Sequence, residues 1–239
     1  MLVVPMLDVC LLFTAALTRQ ILPALAQARD SERLSLALSD FTELVASVAA
    51  TELLVPHFSS LVGLLVSFMA AASQLADDAR QSAIELLASV AETGMADETE
   101  GWAAVVQGLV QIMTEIPDDA QWGARDEDED DDLNYVVAET ALDRVAQSLS
   151  HEIVLGPLLA MLPGLVRSSV WQQRHAGLSA IAVVAEGASE GVIAQLPSIA
   201  ALVFPSIGDQ HPRVRYATLY AIAQLCSDLE VRLRSRGLG

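Results

Sequence analysis

The chain is 239 residues long, carries a net charge of −18, and is 53% hydrophobic but only 5% aromatic. All 13 basic residues are arginine, and the absence of lysine excludes Schiff-base, PLP-dependent and P-loop chemistry. The acidity argues against nucleic acid or an anionic membrane as a direct partner and favours basic ones.

The Ala/Leu/Val-rich composition predicts helix throughout. The opening stretch MLVVPMLDVCLLFTAAL lacks a basic leader and is interrupted by Asp8, so it reads as a core helix and not as a signal peptide. Roughly Leu2–Gln27 and Ser31–Ala50 form a first, least regular helix pair. The apolar run Leu61–Leu75 is shorter than the roughly 20 residues a membrane span requires and runs into Asp77 and Asp78, which predicts a soluble chain without membrane insertion.

Two kinds of helix alternate from there. The first kind (Glu52–Ala72, Thr99–Ile116, Glu152–Ser169 and Gly191–Gly208) is rich in Leu, Val and Ile, and three of the four carry proline. The second kind (Asp77–Gly94, Trp171–Ala188 and His211–Leu229) opens with polar residues and an arginine. It continues through a small residue (Ala83, Ala176, Ala217) into about four apolar turns. Ala176 and Ala217 lie 41 residues apart, inside the roughly 40–47-residue period of HEAT and armadillo units. Ala83 and Ala141 lie 58 apart, one such period plus an insert of about 17.

The expected fold is therefore all-α: a HEAT-repeat α-solenoid, a right-handed superhelix of about five antiparallel helix pairs with an acidic loop insertion. HEAT-like pairs are expected over residues 1–116, the insertion over 117–134, further repeats over 135–230 and an irregular basic tail over 231–239. Neither end supplies a polar cap, which suggests a segment of a longer solenoid or a truncated gene product. Trp171–Ile193 reads as a second helix turning into the next first helix. Ala176, Leu178, Ile181, Val184 and Ala185 are expected to pack between helices, and Gly187 and Gly191 to serve the turn.

Within the insertion stand seven consecutive acids, Asp126, Glu127, Asp128, Glu129, Asp130, Asp131 and Asp132. Like charges at this density repel and solvate, which predicts a loop. It serves either solubility or contact with a basic partner; the order of an EF-hand is missing. The histidines His57, His151, His175 and His211 are scattered among repeats, and no HExxH, GxSxG, GxGxxG or Cys–His constellation occurs. No enzyme activity, cofactor or metal is expected. Cys10 and Cys226 are too few for a disulfide framework and read as core thiols of a reducing compartment.

Arg174, Arg213 and Arg215 open two second helices and suit either an inter-repeat ladder or contact with acids on a bound protein. Trp102 and Trp171, at helix starts, read as packing residues. Trp122, beside the acidic run, is the tryptophan expected to be exposed and open to a partner.

AETALDRVAQSL after an acidic stretch, then WQQRHAGLSAIAVVAEGA, then DQHPRVRYATLYAIAQLCSDL, resembles the importin-beta (karyopherin-beta) nuclear transport receptors, and within them the importin-five branch. The likeness is specific over about Asp118–Asp228 and diffuse over the first hundred residues. The amino-terminal repeats of the family's main Ran contact have no clear counterpart here, and its carboxy-terminal repeats are missing. The resemblance implies a middle-to-early portion of a receptor, with the helices carrying Arg174 and Arg213 lining the inner surface. It also implies basic cargo bearing nuclear localisation signals, Ran GTPase and nucleoporins as partners, and shuttling between cytoplasm and nucleus. The alternative is a HEAT scaffold that joins the subunits of a complex without Ran.

Overall fold

The computed structural model describes Gln20 and residues 22–27, 30–46, 54–94, 100–119, 122 and 133–235. Helices make up the regular structure of these residues, and no strand occurs among them. The readings of the opening stretch and of Cys10 fall outside them, as does the acidic run Asp126–Asp132. The chain divides into two compact units, Met1–Val105 and Val106–Gly239.

In the first unit, α1 (Leu22–Gln27) and α2 (Ser31–Val45) precede a 3-10 turn, Val55–His57, that leads into α3 (Phe58–Met69) and α4 (Asp77–Glu92). Asp30 caps α2 by accepting the Arg33 N–H at 3.2 Å, satisfying a donor that the helix cannot. The helices α2 and α4 pack side by side while α3 packs on α4; the Ser35 and Ser82 hydroxyls bond at 2.8 Å between α2 and α4. Buried Arg80 locks the α3–α4 turn, donating from Nε to the Met69 carbonyl and from Nη1 to Asp77, each at 3.2 Å. Gly94, at φ +69°, follows the end of α4 in the left-handed conformation common beyond a helix C-terminus. Helix α5 (Trp102–Met113) begins in this unit and ends in the next.

The second unit contains α6 (Asn134–Ser148), α7 (His151–Val166), α8 (Trp171–Gly187), α9 (Ser189–Val203) with a 3-10 continuation over Phe204–Gly208, and α10 (Pro212–Ser235). They form two layers. Helices α6, α8 and α10 lie in one, with α8 in the middle, and α7 and α9 lie in the other. This is the expected HEAT arrangement of first helices behind second helices, with boundaries within a few residues of those read from the sequence. Prolines stand inside the first helices, at Pro157 and Pro163 in α7 and Pro197 in α9, whereas Pro212 opens the second helix α10.

Helix α8 explains its own position. It is apolar around most of its circumference, so only a site surrounded by other helices can bury it. Ala176, Leu178, Ile181, Val184 and Ala185 are all buried, as expected, and so are Ala180 and Ala182. Burying Leu178 or Ile181 contributes about 1.5–3 kcal/mol each. The small residues let neighbours approach closely. A Cβ at Gly187 would run into the Ala146 backbone carbonyl, and one at Gly191 would meet His151 and Leu155 at 2.7 Å. The expectation that these two glycines serve the turn is corrected: neither has a positive φ, and both permit close packing.

Two further expectations change. The tail from residue 231 is not irregular as far as Ser235, because α10 continues to that residue. Leu and Arg are good helix formers, and no Gly or Pro intervenes before Gly237. Cys226 is exposed and free, not a core thiol, since it lies on a side of α10 that no described helix covers. The apolar stretch of greatest length is Ser189–Gly208, with 20 residues of mean hydropathy 1.6. By length and composition it is the described helix that could cross a membrane; here α9 packs on α7 and α10.

Candidate functional site

The candidate residues with described positions gather in the second unit, where the starts of α8 and α10 lie side by side. The 41-residue period produces this: equivalent helix starts recur in the same layer, so residues distant in sequence become neighbours.

Arg174, in the first turn of α8, reaches the turn before α10. Its Nε and Nη2 bond the two carboxylate oxygens of Asp209 at 2.7 and 2.8 Å, and its Nη1 bonds the Ser168 carbonyl at 2.9 Å. One guanidinium thus ties the α7–α8 turn to the α9–α10 turn, with the fork-to-fork geometry that arginine favours. Asp209 also accepts the His211 N–H at 2.8 Å. The Arg174 hydrogen bond, helped by that of His211, holds its carboxyl below the usual carboxylate range. Of the two readings for Arg174, the inter-repeat bridge is the one formed. Arg215 is exposed and donates to the Asp209 and Gln210 carbonyls at 2.8 and 3.1 Å.

Arg213 is buried. Its Nη1 donates to the Pro117 carbonyl at 2.7 Å, 96 residues earlier in the chain. Its guanidinium carbon sits 5.2 Å from the Trp122 ring centroid and 5.9 Å from that of Trp171, within cation–π range of both. The edge of Trp122 meets Tyr216, with centroids 5.8 Å apart and an interplanar angle of 67°. Trp122 is therefore half-buried and engaged within the chain, in place of the open side chain expected. Trp102 is buried as a packing residue.

Sequence reasoning missed one part of this cluster. The histidines read as scattered, yet His211 stacks on Trp171 at 3.8 Å with planes 8° apart, and His175 meets the same ring at 6.3 Å nearly edge-on. The repeat itself was the available signal, because it sets His211 beside the start of α8. Both imidazoles bury Nδ1 without a hydrogen-bond partner among the described residues. Burial, then the charges of Arg213 and His211, push His175 down to about 4. His211 is also lowered, by burial and by Arg213 and Arg174 against the opposing pull of Asp118 and Asp209. Both rings are neutral at pH 7. Glu139 on α6 moves the other way, pushed up to about 7 by burial.

No group of three or more His, Cys, Asp or Glu side chains among the described residues is arranged to hold a metal ion. Arg174, Asp209 and Arg213 are engaged within the chain, whereas the two histidine Nδ1 atoms have no hydrogen-bond partner among the described residues. In the sequence, the chain's only seven-acid run begins at Asp126, four residues after Trp122.

Two family models match, an importin repeat over residues 72–156 and a HEAT-like repeat over residues 171–225. Importin subunit beta-3 of Saccharomyces cerevisiae is 33% identical over 159 residues, which cover 63% of this chain and 14% of that protein. The crystal structure of Kap121p bound to RanGTP matches with a TM-score of 0.81 at 28% identity, covering 92% of this chain. The chain belongs to the importin-beta family. It spans 22% of that Kap121p chain, so its likeness to these importins is to a stretch of repeats. Kap121p bound to Pho4p matches with a TM-score of 0.78 at 28% identity, over 87% of this chain and 21% of that one. Importins of this family are transport receptors that act by binding.

Proposed function

We propose that this chain is a protein-binding stretch of an import receptor's HEAT solenoid. It binds basic cargo signals and Ran GTPase through the second-helix layer, with Asp126–Asp132 and Trp122 contributing to the contact, and it supports protein import into the nucleus while cycling between cytoplasm and nucleus. The observation that carries this reading is the match to Kap121p bound to RanGTP over 92% of the chain. The net charge of −18 supports it: a strongly acidic surface raises the association rate with lysine-rich segments and repels nucleic acid. Arg174, Arg213 and Arg215 enter as residues that shape this layer, since each is engaged within the chain.

The test is competition. The chain is immobilised, loaded with a lysine-rich localisation peptide, and washed with Ran bound to GTP or to GDP. Release by the GTP form alone is the expected result. Retention of the peptide under both washes points instead to a HEAT scaffold without Ran coupling, and absence of peptide binding at low salt overturns the reading altogether.

A further inference from the structure

The acidic run follows Trp122 in the sequence, and two of the described residues leading into it meet the same side chain. Between the end of α5 and the start of α6, Pro117 and Trp122 both converge on Arg213. The Pro117 carbonyl accepts from Nη1 at 2.7 Å, and the Trp122 ring lies 5.2 Å from the guanidinium carbon. Arg213 is buried at the start of α10 and its other flank faces Trp171, 5.9 Å away. Tyr216, one turn further along α10, closes on the edge of Trp122. A charge with little access to water gains more from a carbonyl and two aromatic faces than an exposed one does. Arg215, two residues away, is exposed and serves only the turn carbonyls of Asp209 and Gln210.

We propose that Arg213 is a positioning residue that latches the entrance of the acidic insert, through Pro117 and Trp122, onto the start of α10. The latch joins the described approach to the insert, Pro117 and Trp122, to the second-helix layer, so that binding of a basic segment depends on Arg213. Its effect on binding rests on the function proposed above; the latch itself does not.

The histidines fit this arrangement. His211 and His175 pack on Trp171, the second ring that Arg213 faces. Kept neutral at pH 7 by burial and by the nearby guanidinium, they place no competing charge beside it. Asp118 and Asp209 face His211, and Arg174 stands on the far side of Asp209.

Fluorine NMR of the whole chain labelled with 5-fluorotryptophan tests the latch, with the Trp122 resonance assigned by Trp122→Phe. In Arg213→Ala that resonance should narrow and move toward the position of free fluorotryptophan, while Trp102 stays in place. Arg213→Lys, which keeps the charge but loses the planar fork, should give an intermediate position, and Arg215→Ala should leave Trp122 unmoved. If circular dichroism shows that Arg213→Ala does not fold, Arg213→Lys carries the test. A Trp122 resonance identical to wild type in the folded Arg213 variant overturns the latch.

A second readout uses a fluorescein-labelled lysine-rich peptide at low salt. Arg213→Ala should weaken its binding about three- to tenfold while leaving the salt dependence unchanged, because all seven acids remain. Unchanged affinity alongside a moved resonance overturns the effect on binding. A wild-type chain that binds no peptide overturns the proposed function, and the fluorine signal still decides the latch.

Discussion

Helices α8 and α10 repeat one another 41 residues apart, and yet their surfaces are opposites. Leu178 of α8 is fully buried at 0% exposure, while Leu219, its equivalent on α10, is 59% exposed. His175 and Tyr216, the next equivalent pair, stand at 9% and 58%. Sequence pattern does not account for the difference, since both positions carry large side chains of the same register. Neighbours do. Helix α8 has a second helix on each side, α6 and α10, whereas α10 has α8 on one side among the described residues. In a solenoid a helix owes its burial to the adjoining repeat more than to its own composition.

The sharpest way to break this comparison is to truncate the matched leucines. Leu178→Ala should cost about 3 kcal/mol, transfer and cavity terms together, and Leu219→Ala less than about 1 kcal/mol. Urea unfolding measures both, and equal losses would show that the two helices are covered alike.

A proton gives the next largest effect. His175 is depressed to about 4 by burial and by Arg213 and His211, so the unfolded chain binds its proton more readily. Stability from this group is present above pH 6.5 and is lost as pH falls toward 4. Glu139 is raised to about 7 by burial, so its contribution is present below pH 4.5 and is lost as pH rises through 7. The two oppose each other across one window. Glu139→Gln should therefore uncover the histidine: stability should fall by up to about 3 kcal/mol between pH 6.5 and 4, and Glu139→Gln with His175→Asn should be far flatter. Thermal melts across that range check it, and a flat Glu139→Gln profile would contradict the burial of His175.

The matched arginines come third. Arg174 and Arg215 occupy equivalent places, but Arg174 makes the paired bond to Asp209 while Arg215 meets only backbone carbonyls at the surface. Arg174→Ala should cost about 2 kcal/mol and Arg215→Ala less than about 0.5 kcal/mol. A double-mutant cycle with Asp209→Ala should assign most of the first loss to that pair. Additive losses at Arg174 and Asp209 would show that the bridge contributes nothing of its own.

The same contrast explains what was legible in the sequence. Helix pairs, the 41-residue register and the buried face of α8 followed from apolar periodicity, because packing alone determines them. The Arg174 bridge was foreseen in kind from arginines at helix starts, though its acid, Asp209, was not named. The Arg213 cluster was not foreseen: a backbone carbonyl 96 residues away leaves no periodic trace, and a half-buried Trp122 has the same letter as an open one. The exposure of Cys226 and the length of α10 were misread for a related reason. Both depend on what lies beside the helix, and composition along it does not record that.

The most direct measurement of the binding role is calorimetric titration of a lysine-rich localisation peptide across a range of salt. One arm uses the wild-type chain and the other a chain with Asp126–Asp132 changed to the corresponding amides. Affinity that falls steeply with salt in the first arm, and becomes weaker and flatter in the second, is the predicted result. Equal affinities and equal salt dependence in the two chains would contradict it.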